Sequence, residues 1–289
     1  MKMCKLCEFY SEMPTCDHKL TSIRGNAGVS SLLLEWQKAD SAKWAKISEK
    51  VKDYKFILKD NRYNYSGNTP DEVRADFESQ YRKDIEEEFK GEWWLAFLLL
   101  IANRGLYRAE TTLEAKERLL IKTDINDINN TVQAQSAHVS DFYNNALDAN
   151  VDAAGLALIN FMTEYLPGEE PYPISTAILD EQKKVGELRT SQIVNTQTVA
   201  MMNAATLVYY TRNYVTRFRI ETNDPCPICE DLAGEEYSYS QTQEYQISID
   251  KSQAVTGHAM ESSQKFYSQN PWSGMIPVHV NCQCFWVMA

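Results

Sequence analysis

The cysteines of this chain fall into two groups, and their spacing constrains the fold more than any other sequence feature. Cys4, Cys7 and Cys16 lie near the start, and the remaining four of the seven begin at Cys226, with none between the groups. The odd count includes two Cys-x-x-Cys pairs, and the chain start does not resemble a secretion signal. This combination favours metal binding over disulfides. We therefore expect a metal-stapled segment near each end of the chain.

The C-terminal group predicts a structural zinc site. Cys226-Pro-Ile-Cys229 places two thiolates on one side of a tight turn, and His279-Val-Asn-Cys282-Gln-Cys284 follows further along the chain. One imidazole and four thiols exceed the four ligands of tetrahedral zinc, so a Cys3His site is available with one thiol left over. The spacing does not decide between Cys282 and Cys284 as the fourth ligand.

Three other interpretations of this group are weaker. Buried cysteines beside an unrelated histidine rarely cluster in this way, and a redox Cys-x-x-Cys needs a βαβ pattern that is missing around it. A catalytic zinc needs an open coordination position and a general base, for which Glu230, Asp231 and His258 are the candidates. A site with four nitrogen and sulfur ligands is usually closed and structural.

The N-terminal group has the same composition. Cys4-Lys-Leu-Cys7 is followed by Cys16-Asp-His18, which is again Cys3His. The short spacing fits a compact zinc knuckle within residues 1–24. Two alternatives stay open: a tail whose cysteines bind nothing, and a site that Cys4 and Cys7 complete with partner chains.

Between the two groups the sequence predicts mostly helix. Thr69-Pro70-Asp71-Glu72 supplies an N-cap, a proline at the first helical position and acids in the first turn. Apolar residues then recur every four positions from Val73 to Phe89, as on one face of an amphipathic helix. We expect helix to continue through the apolar run 93–102 toward residue 121, with a break near Gly105. Further helices are predicted over about 124–149 and 151–165.

A boundary is predicted where three prolines and a glycine fall within residues 167–173, because such a stretch cannot continue a helix. It divides a helical domain over 25–170 from a last domain over 171–289. The last domain is expected to hold a long helix starting at Ser175, then strands over 215–222, 232–239 and 275–287. The predicted fold class is α+β: a mainly helical body, a small C-terminal zinc-stapled β module and a short N-terminal zinc knuckle.

Charge and hydropathy narrow the functional classes. The formal net charge of −11 disfavours broad wrapping of DNA, although residues 183–219 are locally basic and offer a contact for DNA or an acidic partner. The apolar run 93–102 is about half the length of a membrane span, so we expect it in a core or an interface. The chain start lacks the apolar core of a signal peptide, which predicts synthesis and retention in a reducing cytoplasm. No nucleotide-binding or hydrolase motif occurs, so we predict no catalytic residue.

Several motifs of the C-terminal third occur in a familiar order. A helix over 189–205 precedes the strand over 215–222, and Asp224-Pro-Cys226-Pro-Ile-Cys229-Glu-Asp-Leu-Ala-Gly234 comes next. Ile276-Pro-Val-His279-Val-Asn-Cys282-Gln-Cys284 closes the series. These residues resemble the "CPxCxxLxG" and "PPHPNCRC" motifs of the phage head morphogenesis domain, the Mu F-like minor head protein family. The resemblance covers roughly residues 185–287. Its departures from the family pattern, at Gln197, Val278, Val280 and Gln283, leave the predicted zinc ligands in place.

The resemblance implies a minor structural protein of a tailed bacteriophage virion. Such a protein would lie in the capsid interior or at the portal vertex after synthesis in the bacterial host cytoplasm. Its partners would be the portal and major capsid proteins, with packaged DNA a further contact through 183–219, and it would support head assembly, DNA packaging or ejection. Two other classes are weighed against it. One is a zinc-dependent hydrolase, nuclease or toxin-like effector. The other is a host nucleic-acid-binding zinc protein, which the acidic stretch 220–289 disfavours.

Overall fold

The computed structural model describes residues 27–52, 54, 57–59, 62–64, 69–114, 125–164, 174–222, 230, 233–234, 236–238 and 284–289. These residues are mainly helical and include a small antiparallel sheet near the C-terminus. The prediction of a helical body with a small C-terminal β sheet is therefore confirmed. Within the described ranges, no helix is long and apolar enough to cross a membrane.

The elements follow one another in a simple order. They are α1 (Ala27–Lys52), β1 (Ile57–Lys59), β2 (Arg62–Asn64), α2 (Pro70–Glu88), α3 (Leu95–Glu114), α4 (Ile125–Glu164), α5 (Ile174–Glu181), a π-helical turn (Gln182–Glu187), α6 (Leu188–Arg212), β3 (Arg217–Glu221), β4 (Glu236–Ser238) and β5 (Phe285–Met288). β1 pairs with β2 in an antiparallel hairpin, and the second sheet has the order β4-β3-β5.

Helix α2 begins as its sequence predicts. Thr69 accepts a hydrogen bond from the backbone of Glu72, and the Glu72 side chain accepts one from the backbone of Thr69, which completes a capping box. The predicted continuation into the apolar run is wrong at one point, because α2 ends at Glu88 and α3 begins only at Leu95. Gly91 lies between them with φ of 79°, a left-handed conformation that no helix continues through.

Gly105 has a different role from the predicted helix break, since α3 passes through it without interruption. A Cβ atom at this position would lie 2.5 Å from the carbonyl oxygen of Met202 on α6. The Thr206 hydroxyl also donates to the carbonyl oxygen of Gly105 at 3.2 Å. Gly105 therefore allows α3 and α6 to approach closely.

Of the two longest helical stretches, the first differs from the predicted boundaries and the second agrees with them. The helices expected over 124–149 and 151–165 form one helix, α4, which continues through Gly155. In the last domain, helix runs without interruption from Ile174 to Arg212, and it widens at the π-helical turn. The Pro-rich boundary at 167–173 lies outside the described residues.

Contacts group the described residues into two compact units. Unit 1 contains the described parts of Met1–Trp36, Trp94–Val139 and Gln192–Ala289, and unit 2 those of Gln37–Trp93 and Ser140–Ser191. In unit 1 the Trp94 indole donates to the Ser136 hydroxyl at 2.7 Å. In unit 2 the buried rings of Phe77 and Tyr81 stack with their centroids 5.4 Å apart. Aromatic and aliphatic side chains thus form a core in each unit.

Candidate metal centre

The C-terminal sheet is built on β3, whose residues alternate between exposed and buried. Phe218 and Ile220 point inward, as the alternation of β-branched and aromatic residues predicts. β5 runs antiparallel to β3, with Glu221 opposite Phe285 and Ile220 opposite Trp286. This register makes Cys284, just before β5, the neighbour of Thr222, just after β3.

The chain that leaves β3 returns to the same end of that strand. The backbone N–H of Gly234 donates to the carbonyl oxygen of Ile220 at 3.0 Å, and Gly234 has φ of 83°. β4 then pairs with β3 from Glu236 onward. The segment that contains Cys226 and Cys229 therefore begins and ends at the same end of β3 at which Cys284 enters the sheet.

Helix α6 supplies the hydrogen bonds that the outer edge of β5 would otherwise lack. Asn203 Nδ2 donates to the carbonyl oxygen of Cys284 at 3.0 Å, and Asn203 Oδ1 accepts from the backbone N–H of Trp286 at 2.9 Å. Two helical turns further on, burial raises the pKa of Tyr210, while hydrogen bonds of its hydroxyl with the Thr112 side chain and with the Met288 backbone lower it. Polar residues of a buried helix thus fix the position of the strand.

Helix α3 contacts the sheet through Arg108. The Arg108 guanidinium lies 4.1 Å from the centroid of the Phe285 ring, and it lies 3.5 Å from a carboxylate oxygen of Glu221. Burial lowers the pKa of Arg108, while the charge of Glu221 raises it. The cation therefore contacts two residues that lie opposite each other in the sheet.

Only one of the nine predicted metal ligands belongs to the described residues. Cys284 is buried, with 2% of its surface exposed. The others lie outside those residues: Cys226, Cys229, His279 and Cys282 of the C-terminal site, and Cys4, Cys7, Cys16 and His18 of the N-terminal site. In the part of the chain that is described, no group of three His, Cys, Asp or Glu side chains is arranged to hold a metal ion.

Of the three candidates for a general base, only Glu230 belongs to the described residues. Glu230 is exposed, and Asp231 and His258 lie outside the described residues. Trp94 is buried in the core of unit 1, as predicted for the apolar run.

The basic stretch 183–219 carries several charges that acidic side chains already offset. Arg212 binds Asp127, and Arg217 lies 3.4 Å from Glu236. Lys184 contacts Glu181. These ion pairs reduce the positive charge that the stretch presents to an anionic partner.

A second polar cluster, in unit 2, has no counterpart in the sequence analysis. The Asp40 carboxylate on α1 is 3% exposed, and it accepts from Thr190 Oγ1 at 2.6 Å and from the Tyr143 hydroxyl at 3.1 Å. Burial raises the pKa of Asp40 to about 7, against the lowering effect of these two hydrogen bonds. Nothing in the sequence around Asp40 distinguishes it from an exposed helical acid, so no sequence signal reveals this cluster.

Comparison with known proteins does not extend these observations. No model of a protein family, no curated protein and no solved structure matches this chain. Functional inference therefore rests on the motifs of the C-terminal third and on the geometry of the sheet to which they are attached.

Proposed function

We propose that this chain is a structural minor head protein of a tailed bacteriophage, stapled by zinc at its C-terminal sheet. The observation that supports the proposal is the register of β3 with β5, in which Glu221 lies opposite Phe285. Cys226 follows β3 by five residues, and Cys284 immediately precedes β5. The two halves of the motif series are therefore attached at one end of one small sheet.

The available ligands suit zinc. Thiolates and a neutral imidazole are its preferred structural ligands, and Cys226, Cys229, His279 and either Cys282 or Cys284 would complete a tetrahedral site. The bound ion would supply stability, because it would cross-link the segments that are attached to these short strands of three to five residues. Cys4, Cys7, Cys16 and His18 would hold a second ion in the N-terminal knuckle.

The proposed place of the protein is the capsid interior or the portal vertex of the virion. There it would bind portal and major capsid proteins and support head assembly, DNA packaging or ejection, without a catalytic residue. A contact with packaged DNA would be confined to those cations of 183–219 whose charge is not offset by the acids described above.

Zinc content per chain, measured by elemental analysis without chelators during purification, tests the metal centre. We expect two ions in the natural chain, one in Cys226→Ser/Cys229→Ser and one in Cys4→Ser/Cys7→Ser. Comparing Cys282→Ser with Cys284→Ser identifies the fourth ligand, since only the ligand's substitution should weaken retention of zinc against a chelator. A natural chain that contains no zinc would contradict the zinc-stapled module.

The head-protein role needs a separate test. We expect the gene to lie beside portal and terminase genes, and the purified chain to co-elute with the portal protein of the same genome in size-exclusion chromatography. An absence of binding to both portal and major capsid protein would contradict the proposal. Zinc-dependent hydrolysis that Glu230→Gln abolishes would favour the enzyme alternative instead.

A further inference from the structure

The buried cluster around Asp40 in unit 2 connects three helical segments through one hydroxyl group. Thr190 Oγ1 accepts from Trp44 Nε1 at 3.0 Å, and it lies 2.6 Å from Asp40 Oδ2 and 3.2 Å from the carbonyl oxygen of Glu187. A threonine hydroxyl has a single proton to donate. It therefore cannot bond fully to the Asp40 carboxylate and to the Glu187 carbonyl at the same time.

The Glu187 carbonyl belongs to the π-helical turn, which packs against the same tryptophan. Gln182, at the start of the turn, donates to the carbonyl oxygen of Trp44 at 3.1 Å and to the Ser48 hydroxyl at 2.7 Å. A Cβ atom on Gly186 would lie 2.6 Å from the Trp44 ring. Single π-helical turns inside α-helices occur frequently at functional positions. Here the turn is held by contacts that converge on Trp44 and Thr190.

We propose that Asp40, Thr190 and the π-helical turn form a proton-linked switch, in which the protonation state of Asp40 decides where the Thr190 hydroxyl donates. When Asp40 is ionised, Thr190 donates to its carboxylate. When Asp40 takes up a proton, the carboxyl group donates to Thr190 Oγ1, and the Thr190 proton turns to the Glu187 carbonyl. One proton is gained, and one hydrogen bond moves onto the last residue of the turn.

The charges around the cluster leave Asp40 free to change its protonation state. Lys43, one turn further along α1, donates to the carbonyl oxygen of Glu88 at 2.6 Å, and its Nζ lies 4.8 Å from the centroid of the Trp93 ring. Its charge is therefore directed toward the end of α2, and within the described residues no ion pair to Asp40 is found. Glu187 faces the cluster from the turn, and its charge helps to raise the Asp40 pKa. Burial and, to a smaller extent, the Glu187 charge outweigh the lowering effects of the two hydrogen bonds and of Lys43, so the pKa of Asp40 is raised to about 7.

The experiment follows the Trp44 indole N–H resonance and the hydrogen exchange of residues 183–190 in the full chain between pH 5.5 and 8.5. Trp44→Phe assigns the indole signal, and exchange rates are divided by the intrinsic rate at each pH. We expect the indole shift to titrate with a midpoint near 7, and the turn to exchange about two- to tenfold more slowly at the acid end, as one added hydrogen bond allows.

Four variants assign the effect. Asp40→Asn and Thr190→Val should abolish the pH dependence, whereas Thr190→Ser keeps the hydroxyl and should retain it. Glu187→Gln removes the other nearby carboxylate and should retain it as well. A natural chain without pH dependence, a dependence that survives Asp40→Asn, or one that Glu187→Gln removes would each overturn the switch. If Thr190→Val does not fold, Asp40→Asn and Thr190→Ser still decide the outcome.

Discussion

The Asn203 side chain forms with the Trp286 segment the hydrogen bonds that a neighbouring strand would form. Its amide oxygen accepts from the Trp286 backbone N–H at 2.9 Å, and its amide nitrogen donates to the Cys284 carbonyl oxygen at 3.0 Å. Asn203 is 1% exposed and belongs to a helix that is buried on most sides. A buried side-chain amide of this kind contributes to stability by hydrogen-bonding backbone groups that would otherwise have no partner. The relationship explains why the sequence carries an asparagine in the middle of an otherwise apolar stretch of α6.

Asn203→Ala is therefore expected to destabilise the protein by about 2–4 kcal/mol, because it leaves one buried N–H and one buried carbonyl oxygen without a partner. Urea unfolding, followed by circular dichroism, measures the loss. Asn103→Ala, at an exposed position of α3, is the matched control and should change stability by less than about 0.5 kcal/mol. Equal effects of the two substitutions would show that the contacts of Asn203 add no stability.

Stability should also depend on pH through Asp40. Its pKa is raised from 3.8 to about 7 in the folded protein, so between these values the folded state binds more protons than the unfolded state. The free energy of unfolding should then fall as the pH rises through this range, by up to about 4 kcal/mol, and level off above pH 7. Asp40→Asn should flatten this slope in urea unfolding measured at steps of about one pH unit from about pH 5 to about pH 8. Asp141→Asn, at an exposed position of α4, should leave the slope as it is.

Gly105 and Gly155 should respond differently to alanine. The new Cβ at Gly105 would meet the Met202 carbonyl oxygen at 2.5 Å, a backbone atom that cannot move alone, and we expect a loss of about 1–3 kcal/mol. At Gly155 the nearest atoms belong to the flexible side chain of Glu78, which would have to move and give up its ion pair with Arg74. Gly155→Ala should therefore cost less than Gly105→Ala, because alanine gains up to about 1 kcal/mol of helix propensity over glycine. Thermal unfolding of both variants distinguishes these outcomes.

The C-terminus of α6 offers a stabilising substitution. Tyr214 has φ of 56° and is 79% exposed, and the Val215 N–H donates to the Tyr210 carbonyl oxygen at 2.9 Å, as in a Schellman motif. Tyr214→Gly should raise the free energy of unfolding by about 1 kcal/mol, because glycine adopts this conformation without a Cβ penalty. Tyr214→Ala keeps the Cβ atom and should give no gain. If Tyr214→Ala stabilised the protein as much as Tyr214→Gly, the gain would come from removing the Tyr214 side chain and not from relieving the backbone conformation.

The elements that the sequence predicts well are those with local determinants. The start of α2 follows from the capping residues at Thr69 and Glu72, and β3 follows from the alternation that buries Phe218 and Ile220. The errors arise where distant contacts decide. Gly105 signals a helix break in the sequence, yet the packing of α6 against it makes it part of one helix.

The sites show the same division between local and distant information. The spacing of the cysteines is a local pattern, so the predicted zinc ligands can be named from the sequence alone. The Asp40 cluster depends on Thr190 and Tyr143, which are far apart in the chain. No periodicity relates these three residues, and only the folded chain brings them within hydrogen-bonding distance.

The pairing of β5 with β3 also has a consequence for how the protein folds. Glu221 pairs with Phe285 across roughly sixty residues of chain, whereas β4 begins only about fifteen residues after β3 ends. Closing a long loop costs chain entropy before any contact compensates for it, so non-local pairings of this kind form slowly. The β3–β4 hairpin should therefore assemble first, and the docking of β5 onto β3 and Asn203 should limit the rate at which the C-terminal sheet is completed.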